Sequence, residues 1–184
     1  MFNLNLYFEF MKTAFLKSAA SFALIWLFNA AAQAQIKRPH LLVGANVSYF
    51  KPQGNFANEN KFGVGGEISG GIGTGKTFLV ATLGTSSFFV DNKIAASNLT
   101  IKPVKVGIRQ FFLVKRIFIN GDLGMASVKD KTTGSSQNRF TRGIGAGVRL
   151  FGLEGGLYYG GWKSINTTGF SNSVQVKIGW GMVL

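Results

Sequence analysis

The chain contains no cysteine, which excludes disulfide bonds, thiolate metal sites and a lipid-anchored N-terminal cysteine. It has one histidine, His40, and shows no cluster of side chains with metal-ligand spacing. After residue 34, no apolar run approaches the roughly 20 residues that a transmembrane helix needs. Any crossing of a bilayer by this part of the chain must therefore be made by strands.

Acidic residues are also scarce, since 20 Lys and Arg stand against 7 Asp and Glu and give a net charge of +13. Such an excess can indicate nucleic-acid binding. Here the basic residues are scattered over loops, turns and strands, without a basic helix or an aromatic-basic patch. We therefore expect no nucleic-acid partner, and attraction to anionic lipid head groups is the use that we assign to the charge.

Residues 1–34 are typical of a cleavable signal peptide. Lys12 and Lys17 supply a positive start, and residues 18–32 form an apolar run. The run ends in Ala32-Gln33-Ala34, the small-x-small pattern that a signal peptidase cuts. The alternative is a transmembrane helix, which the short run and the cleavage pattern disfavour.

We accordingly expect a mature chain that begins at Gln35, and Met11 as the true start of translation. Residues 35–184 are short enough to form one domain, an outer-membrane β-barrel as argued below.

Eight segments of the mature chain alternate apolar and polar residues with a period of two, which indicates strands. They cover residues 43–49, 62–72, 79–90, 104–109, 117–125, 140–150, 153–160 and 174–182. The 25 glycines and the content of Val, Ile and Phe disfavour helices. His40 precedes the first strand, and we expect it to be solvated.

The connections between these segments alternate in length. Long polar loops are predicted at residues 51–60, 91–98, 127–138 and 163–172, and tight turns at residues 73–76, 113–116 and 151–152. This order places both ends of the barrel on the short-turn side, as in outer-membrane barrels. The predicted fold is all-β, an eight-stranded antiparallel up-and-down transmembrane β-barrel.

The composition of the two strand faces predicts which one points outward. The polar face is dominated by glycine with a few isolated charges, which suits the crowded interior of a small barrel better than a solvated surface. The other face carries Val, Ile, Leu and aromatic residues. Six aromatic residues are predicted at the membrane interfaces: Tyr49, Phe62, Phe112, Phe140, Tyr159 and Trp180.

The inward face then holds seven charged residues, which we predict to form a structural charge network in the lumen. They are Glu67, Lys105, Arg109, Asp122, Arg149, Glu154 and Lys177. The two-residue hairpin at 151–152 places Arg149 opposite Glu154. The hairpin with its turn at 113–116 places Asp122 diagonal to both Lys105 and Arg109. The network is interpreted as a plug that closes the barrel, with a gate or narrow polar path as the alternative.

Several of these segments resemble a known family. The stretches RGIGAGVRL, INGDLGM and PVKVGIRQFF, with the signal peptide and the loop order, resemble the OmpA/OmpX-type small outer-membrane β-barrel superfamily. The last strand, VKIGWGMVL, resembles the terminal signal read by the barrel-assembly machinery, with Leu184 in place of the usual aromatic residue. The resemblance implies the barrel architecture, the outer membrane and that assembly partner.

Residues 70–77 read GGIGTGKT, a literal match to the phosphate-binding P-loop. Such a loop requires a buried strand before it and a helix after it, whose N-terminal amides hold the phosphates. The preceding strand is glycine-rich and alternating, and residues 77–85 carry no helix start. We therefore predict a turn and no nucleotide site.

No catalytic arrangement was found. Small outer-membrane acyl hydrolases need a histidine near a serine on the barrel wall, and His40 is poorly placed for that role. We predict a non-enzymatic, monomeric barrel without cofactors that has a structural, envelope or surface-interaction role. The alternative is a barrel that binds or transports a small molecule, either a narrow pore or a soluble periplasmic barrel of the lipocalin type.

Overall fold

The computed structural model describes residues 38–90, 98–130, 134–164 and 169–184. The predicted signal peptide lies outside these residues. The described elements are β1 (His40–Pro52), α1 (Asn55–Glu59), β2 (Asn60–Thr74), β3 (Thr77–Val90), β4 (Leu99–Phe112), β5 (Ile117–Asp130), β6 (Ser136–Leu150), β7 (Leu153–Lys163) and β8 (Phe170–Val183). No helix in these four ranges is long and apolar enough to cross a membrane.

The eight strands form a closed antiparallel barrel in which each strand pairs with its neighbour in sequence. β1 closes the barrel by pairing with β8, from Leu42 opposite Val183 to Pro52 opposite Ser173. The predicted eight-stranded up-and-down barrel is confirmed. Closure leaves no strand edge exposed, as a barrel in lipid requires.

The strands form because the apolar residues recur at every second position, so that each strand sends one face outward and one inward. Exposure alternates residue by residue along the strands, as in β1 and β4. The strands contain 11 to 15 residues, whereas about 9–11 tilted residues suffice to cross a bilayer. The barrel is therefore taller than the hydrocarbon layer that it would cross.

The three short turns are present at the predicted places. Residues 113–116 and 151–152 form turns as predicted, and Phe151 and Gly152 both have positive φ, 51° and 88°, as a two-residue type I′ hairpin requires. The turn predicted at 73–76 is shorter, because Thr74 pairs with Thr77 and leaves only Gly75 and Lys76 outside the ladder. The P-loop-like stretch is thus a β-hairpin, with a strand where a nucleotide site would need a helix.

The predicted loop at 127–138 is wrong in extent. β5 continues to Asp130 and β6 begins at Ser136, with residues 131–133 outside the described part. The strands continue because Ala126 and Val128 point into the barrel and are almost fully buried, so the ladder still covers an apolar core at this height.

Two smaller differences concern residues near the strand ends. Helix α1 occupies half of the loop predicted at 51–60, and no periodic signal predicts a helix of only five residues. His40 does not precede β1 as a solvated residue but is its first residue. It is partly buried, and its Nδ1 lies 3.2 Å from the carbonyl oxygen of Leu184.

Candidate functional site

The outer wall of the barrel is apolar over most of its height. Val47, Ile68, Ile144 and Ile178 each expose more than half of their surface, and similar residues surround them on every strand. A water-soluble barrel would carry charged and polar residues at these positions. The wall therefore has the character of a lipid-facing surface.

The predicted interfacial aromatic residues lie on this wall. Tyr49, Phe112, Phe140, Tyr159 and Trp180 are all exposed, and Phe62 is partly exposed. Near the ends of β1, β2 and β3 the rings form a stack, with centroids 6.2 Å apart for Tyr49 and Phe62 and 5.0 Å for Phe62 and Phe89. Aromatic residues in this position are typical of the boundary between hydrocarbon and head groups.

A set of exposed basic residues lies toward the long-loop end of the wall. Its members are Lys51, Lys61, Lys102, Lys129, Arg142 and Lys163. The Arg142 guanidinium stacks 4.1 Å from the centre of the Phe170 ring, which in turn contacts Phe140. These cations stand at the height where lipid phosphates would meet the barrel.

Two buried apolar layers fill the lumen, one near each end. The layer at the long-loop end is called the upper layer and contains Phe50, Phe56, Phe88, Ile101, Ala126, Val128 and Trp162. The layer at the short-turn end is called the lower layer and contains Leu42, Phe78, Val80, Phe111, Phe118 and Tyr158. Together they occupy both ends of the lumen with closely packed side chains.

Helix α1 contributes to the upper layer through one side chain. Phe56 is buried, and its ring packs edge-on against Trp162 at 4.9 Å and against Phe88 at 5.1 Å. The helix has no side-chain cap and is only five residues long. Phe56 therefore anchors it over the mouth of the barrel.

Inward glycines make room for these rings. A Cβ on Gly145 would lie 2.2 Å from the Tyr158 ring, and a Cβ on Gly63 would lie 2.8 Å from the Phe88 ring. The glycine-rich face predicts a filled interior, and the aromatic rings that fill it are an addition from the structure. The signal was available, because Phe78, Phe88 and Phe118 share the strand parity of the inward glycines.

Between the layers lies the first of two charged groups, centred on Glu67. Its two carboxylate oxygens accept hydrogen bonds from Lys105 Nζ at 2.8 Å and from Lys177 Nζ at 2.5 Å. Lys105 also lies 3.6 Å from Asp122, and the Lys177 ammonium sits 4.4 Å from the centre of the Tyr158 ring. All four charged side chains are about a tenth exposed or less.

The second charged group is centred on Glu154, nearer the short turns. Arg149 donates to Glu154 Oε1 from Nε at 2.9 Å and from Nη2 at 2.6 Å, and Arg109 Nη1 lies 3.0 Å from Oε2. Each guanidinium also stacks on a ring of the lower layer, Arg109 on Phe118 and Arg149 on Phe111, both at 4.6 Å. The group thus combines ion pairing with cation–π contacts.

The structure brings all seven predicted residues into the lumen but divides them between these two groups. Arg149 stands opposite Glu154 in the β6–β7 register, as the hairpin predicted. The predicted diagonal placement of Asp122 is confirmed, since Asp122 stands opposite Gly107, between the positions of Lys105 and Arg109. The ion-pair partner of Arg109 is nevertheless Glu154. Arg109 and Glu154 lie 45 residues apart and on strands that are not neighbours, so the pair forms across the lumen.

The cavity beside the first charged group is small. A cavity of about 40 Å³ remains beside Glu67, Lys105, Asp122 and Lys177. This volume can hold a few water molecules, whereas pockets for small ligands measure roughly 300 Å³ or more. Within the described ranges, no group of three or more His, Asp or Glu side chains could hold a metal ion.

No protein-family model and no curated protein sequence matches the chain. Solved structures that share its fold do so at low sequence identity. Neisserial surface protein A is 14% identical, with a TM-score of 0.57 over 78% of this chain and 96% of that protein. The Yersinia pestis outer membrane protein Ail, solved in a phospholipid bilayer nanodisc, is 11% identical, with a TM-score of 0.53 over 77% of this chain and 99% of Ail.

These likenesses cover nearly all of the two solved chains and about three quarters of this chain, and they agree with its closed barrel fold. The chain has the fold of the small eight-stranded outer-membrane β-barrels, the OmpA/OmpX type that its sequence resembles.

Proposed function

We propose that the protein is an integral outer-membrane barrel without enzymatic activity, whose closed lumen serves a structural, envelope or surface-interaction role. One observation carries this proposal: the polarity of the barrel is inverted relative to a soluble protein. Its outer wall exposes bulky apolar residues, while seven charged residues are held inside. Lipid around the barrel would cover the apolar outer wall, and the ion pairs in the lumen neutralise the buried charges.

The closed state of the lumen is supported by the two apolar layers. An ion that entered from the long-loop end would have to pass Phe56, Phe88 and Trp162, and one that entered from the other end would meet Phe78, Phe111 and Phe118. The charged groups between them are mutually paired and leave little free volume. A narrow pore or a ligand-binding lumen therefore has less support than a plug.

The solved relatives support the location. One is named a surface protein and the other was solved in a phospholipid bilayer. The exposed basic residues of the upper wall, Lys51 and Arg142 among them, would meet the phosphates of anionic lipids there. We further propose a monomer that is inserted by the barrel-assembly machinery through its last strand.

The location is tested by fractionation and by electrophoresis with and without heating. We expect the protein in the outer-membrane fraction, extracted only by detergent, with a compact band that shifts when the sample is boiled. Recovery in the soluble periplasmic fraction would overturn the membrane proposal and favour the lipocalin-like alternative. The size of the purified protein in detergent tests the monomer.

The closed lumen is tested by conductance in planar bilayers. The wild-type protein should show no stable unitary current, because both ends of the lumen are packed. A matched variant, Phe56→Ala combined with Trp162→Ala, removes two rings of the upper layer and should still lack a stable current while the lower layer is intact. Regular open events of the wild type would establish the pore alternative.

A further inference from the structure

The short turns carry a feature that the barrel itself does not require. Leu113 and Val114 are 66% and 88% exposed, and Phe151 is fully exposed. They occupy the turns between β4 and β5 and between β6 and β7, where a turn in water normally carries Gly, Asn, Asp or Ser. Three bulky apolar side chains therefore project beyond the ends of the strands.

Their backbone makes the choice of residues more unusual. Leu113, Val114 and Phe151 have φ values of 41°, 55° and 51°, in the left-handed region that Gly and Asn adopt most easily. A β-branched residue such as Val114 is especially unfavourable there. The left-handed backbone of these turns thus disfavours the side chains that they carry. Residues that are unfavourable for the local backbone indicate a role other than turn formation.

The two turns are neighbours on the rim. The amide of Arg149 donates to the carbonyl of Arg116 at 2.6 Å, which ties the β6 end to the first turn. The second turn lies against β8, where the amide of Gly181 donates to the carbonyl of Gly152 at 2.7 Å. The three apolar side chains therefore belong to one sector of the rim.

The surroundings of this sector favour a lipid surface as its partner. The apolar residues continue directly into the exposed wall through Phe112 and Leu153. Lys115 and Arg116 follow Val114 in the same turn, and none of the three short turns contains an acidic residue. Apolar side chains flanked by cations are suited to the boundary between acyl chains and anionic head groups.

We infer that Leu113, Val114 and Phe151 insert into the head-group boundary of the leaflet on the short-turn side and anchor the barrel at a fixed depth. The inference rests on the proposed membrane location and goes further, because it assigns a lipid-binding role to two named turns. Anionic phospholipid is the chemical class that the sector recognises, chiefly through the exposed Arg116, since the Lys115 ammonium lies 5.9 Å from the centre of the Phe78 ring.

The test uses a substitution that should stabilise the turn but weaken the membrane anchor, so the two effects change the urea midpoint in opposite directions. Phe151→Asn places a residue that prefers the left-handed conformation into the turn and removes the apolar ring. In zwitterionic micelles, which adapt to the protein, we expect the urea midpoint of the variant to be equal to or higher than that of the wild type. In vesicles of phosphatidylcholine with about one third phosphatidylglycerol, we expect it to be lower than that of the wild type. Gly75→Asn is the matched control, since Gly75 also has a positive φ, 63°, and lies in the short turn that carries no apolar side chain. The shift of its urea midpoint relative to the wild type should be the same in micelles and in vesicles.

Two further readouts address depth and charge. Trp180 lies beside the second turn, with its Nε1 3.0 Å from where a Cβ of Gly152 would stand. Its fluorescence should be quenched more by lipids brominated near the head group than by lipids brominated near the chain end, and Phe151→Asn should reduce this difference. The Trp180→Phe variant shows how much of the total tryptophan fluorescence comes from Trp180. Lys115→Gln with Arg116→Gln should reduce the preference for anionic over zwitterionic vesicles, and the part that remains would come from the basic residues of the upper wall.

A midpoint for Phe151→Asn that rises equally in micelles and vesicles would overturn the inference. So would a wild-type dimer that the substitution dissociates, since the sector would then bind a second copy. If the wild-type protein failed to insert into vesicles at all, the proposed membrane location would fail instead, and the two failures are therefore distinguishable.

Discussion

The charged group around Glu154 permits a sharp prediction about barrel stability. The Glu154→Leu substitution removes the carboxylate that receives Arg149 and Arg109 and supplies an apolar side chain of similar size. Both guanidinium groups would then remain in the lumen without their acidic partner and close to one another. We expect the folded barrel to be strongly destabilised.

The magnitude follows from the burial of the group. The side chains of Arg109, Arg149 and Glu154 are only 9%, 11% and 13% exposed, so water screens the unpaired charges weakly. Breaking a buried ion pair by removing one partner costs about 3–5 kcal/mol. Because Glu154 serves two cations, a loss toward the upper end of that range is expected.

The assay is urea unfolding in zwitterionic micelles, followed by tryptophan fluorescence and by the heat-shifted band on gels. Asp122→Asn is the matched control, because Asp122 makes one ionic contact at 3.6 Å, and its loss should cost only about 1 kcal/mol. Adding Arg149→Met to Glu154→Leu removes one unpaired cation and should restore part of the stability, since residues in one network are coupled by roughly 0.5–3 kcal/mol.

A Glu154→Leu barrel whose free energy of unfolding lay within about 1 kcal/mol of the wild type would contradict the stabilising role of this carboxylate. Additive destabilisation by Arg149→Met and Glu154→Leu would also contradict it, because the two residues would then act independently.

Two more predictions concern the apolar filling of the lumen. Gly145→Ala should destabilise the barrel by about 1–3 kcal/mol in the same unfolding assay, because its Cβ would lie 2.2 Å from the Tyr158 ring. Gly121→Ala is the control: its Cβ would lie on the lipid-facing side with no atom closer than 3.9 Å, and it should change the stability by no more than about 0.5 kcal/mol. Equal effects of the two substitutions would contradict the packing of Tyr158. Phe56→Ala should release helix α1, whose five residues are too few to remain helical alone, and limited proteolysis should then cleave residues 53–60 several-fold faster. Unchanged cleavage would show that other contacts hold the helix.

The strands, the side chains that point outward or inward, and the alternation of long loops with short turns can all be predicted from the sequence alone. The period of two places Val47 or Ile144 outside and Glu67 or Lys105 inside, whatever the strands pair with, because successive side chains in a strand point to opposite faces. The Arg149–Glu154 pair was equally predictable, since a two-residue hairpin sets the register of the strands that it joins.

The contacts across the lumen depend on the tertiary structure. Glu154 meets Arg109, and Glu67 meets both Lys105 and Lys177, on strands that are not neighbours. Which inward residues reach the same height depends on the tilt of the strands and on the stagger accumulated around the closed barrel, and neither can be obtained from a single strand or hairpin. The same holds for Phe56, which the loop brings to Phe88 and Trp162 only once the barrel mouth exists. Alternation is a local property of the chain, whereas the stagger that pairs the lumen residues arises from closure of the whole sheet.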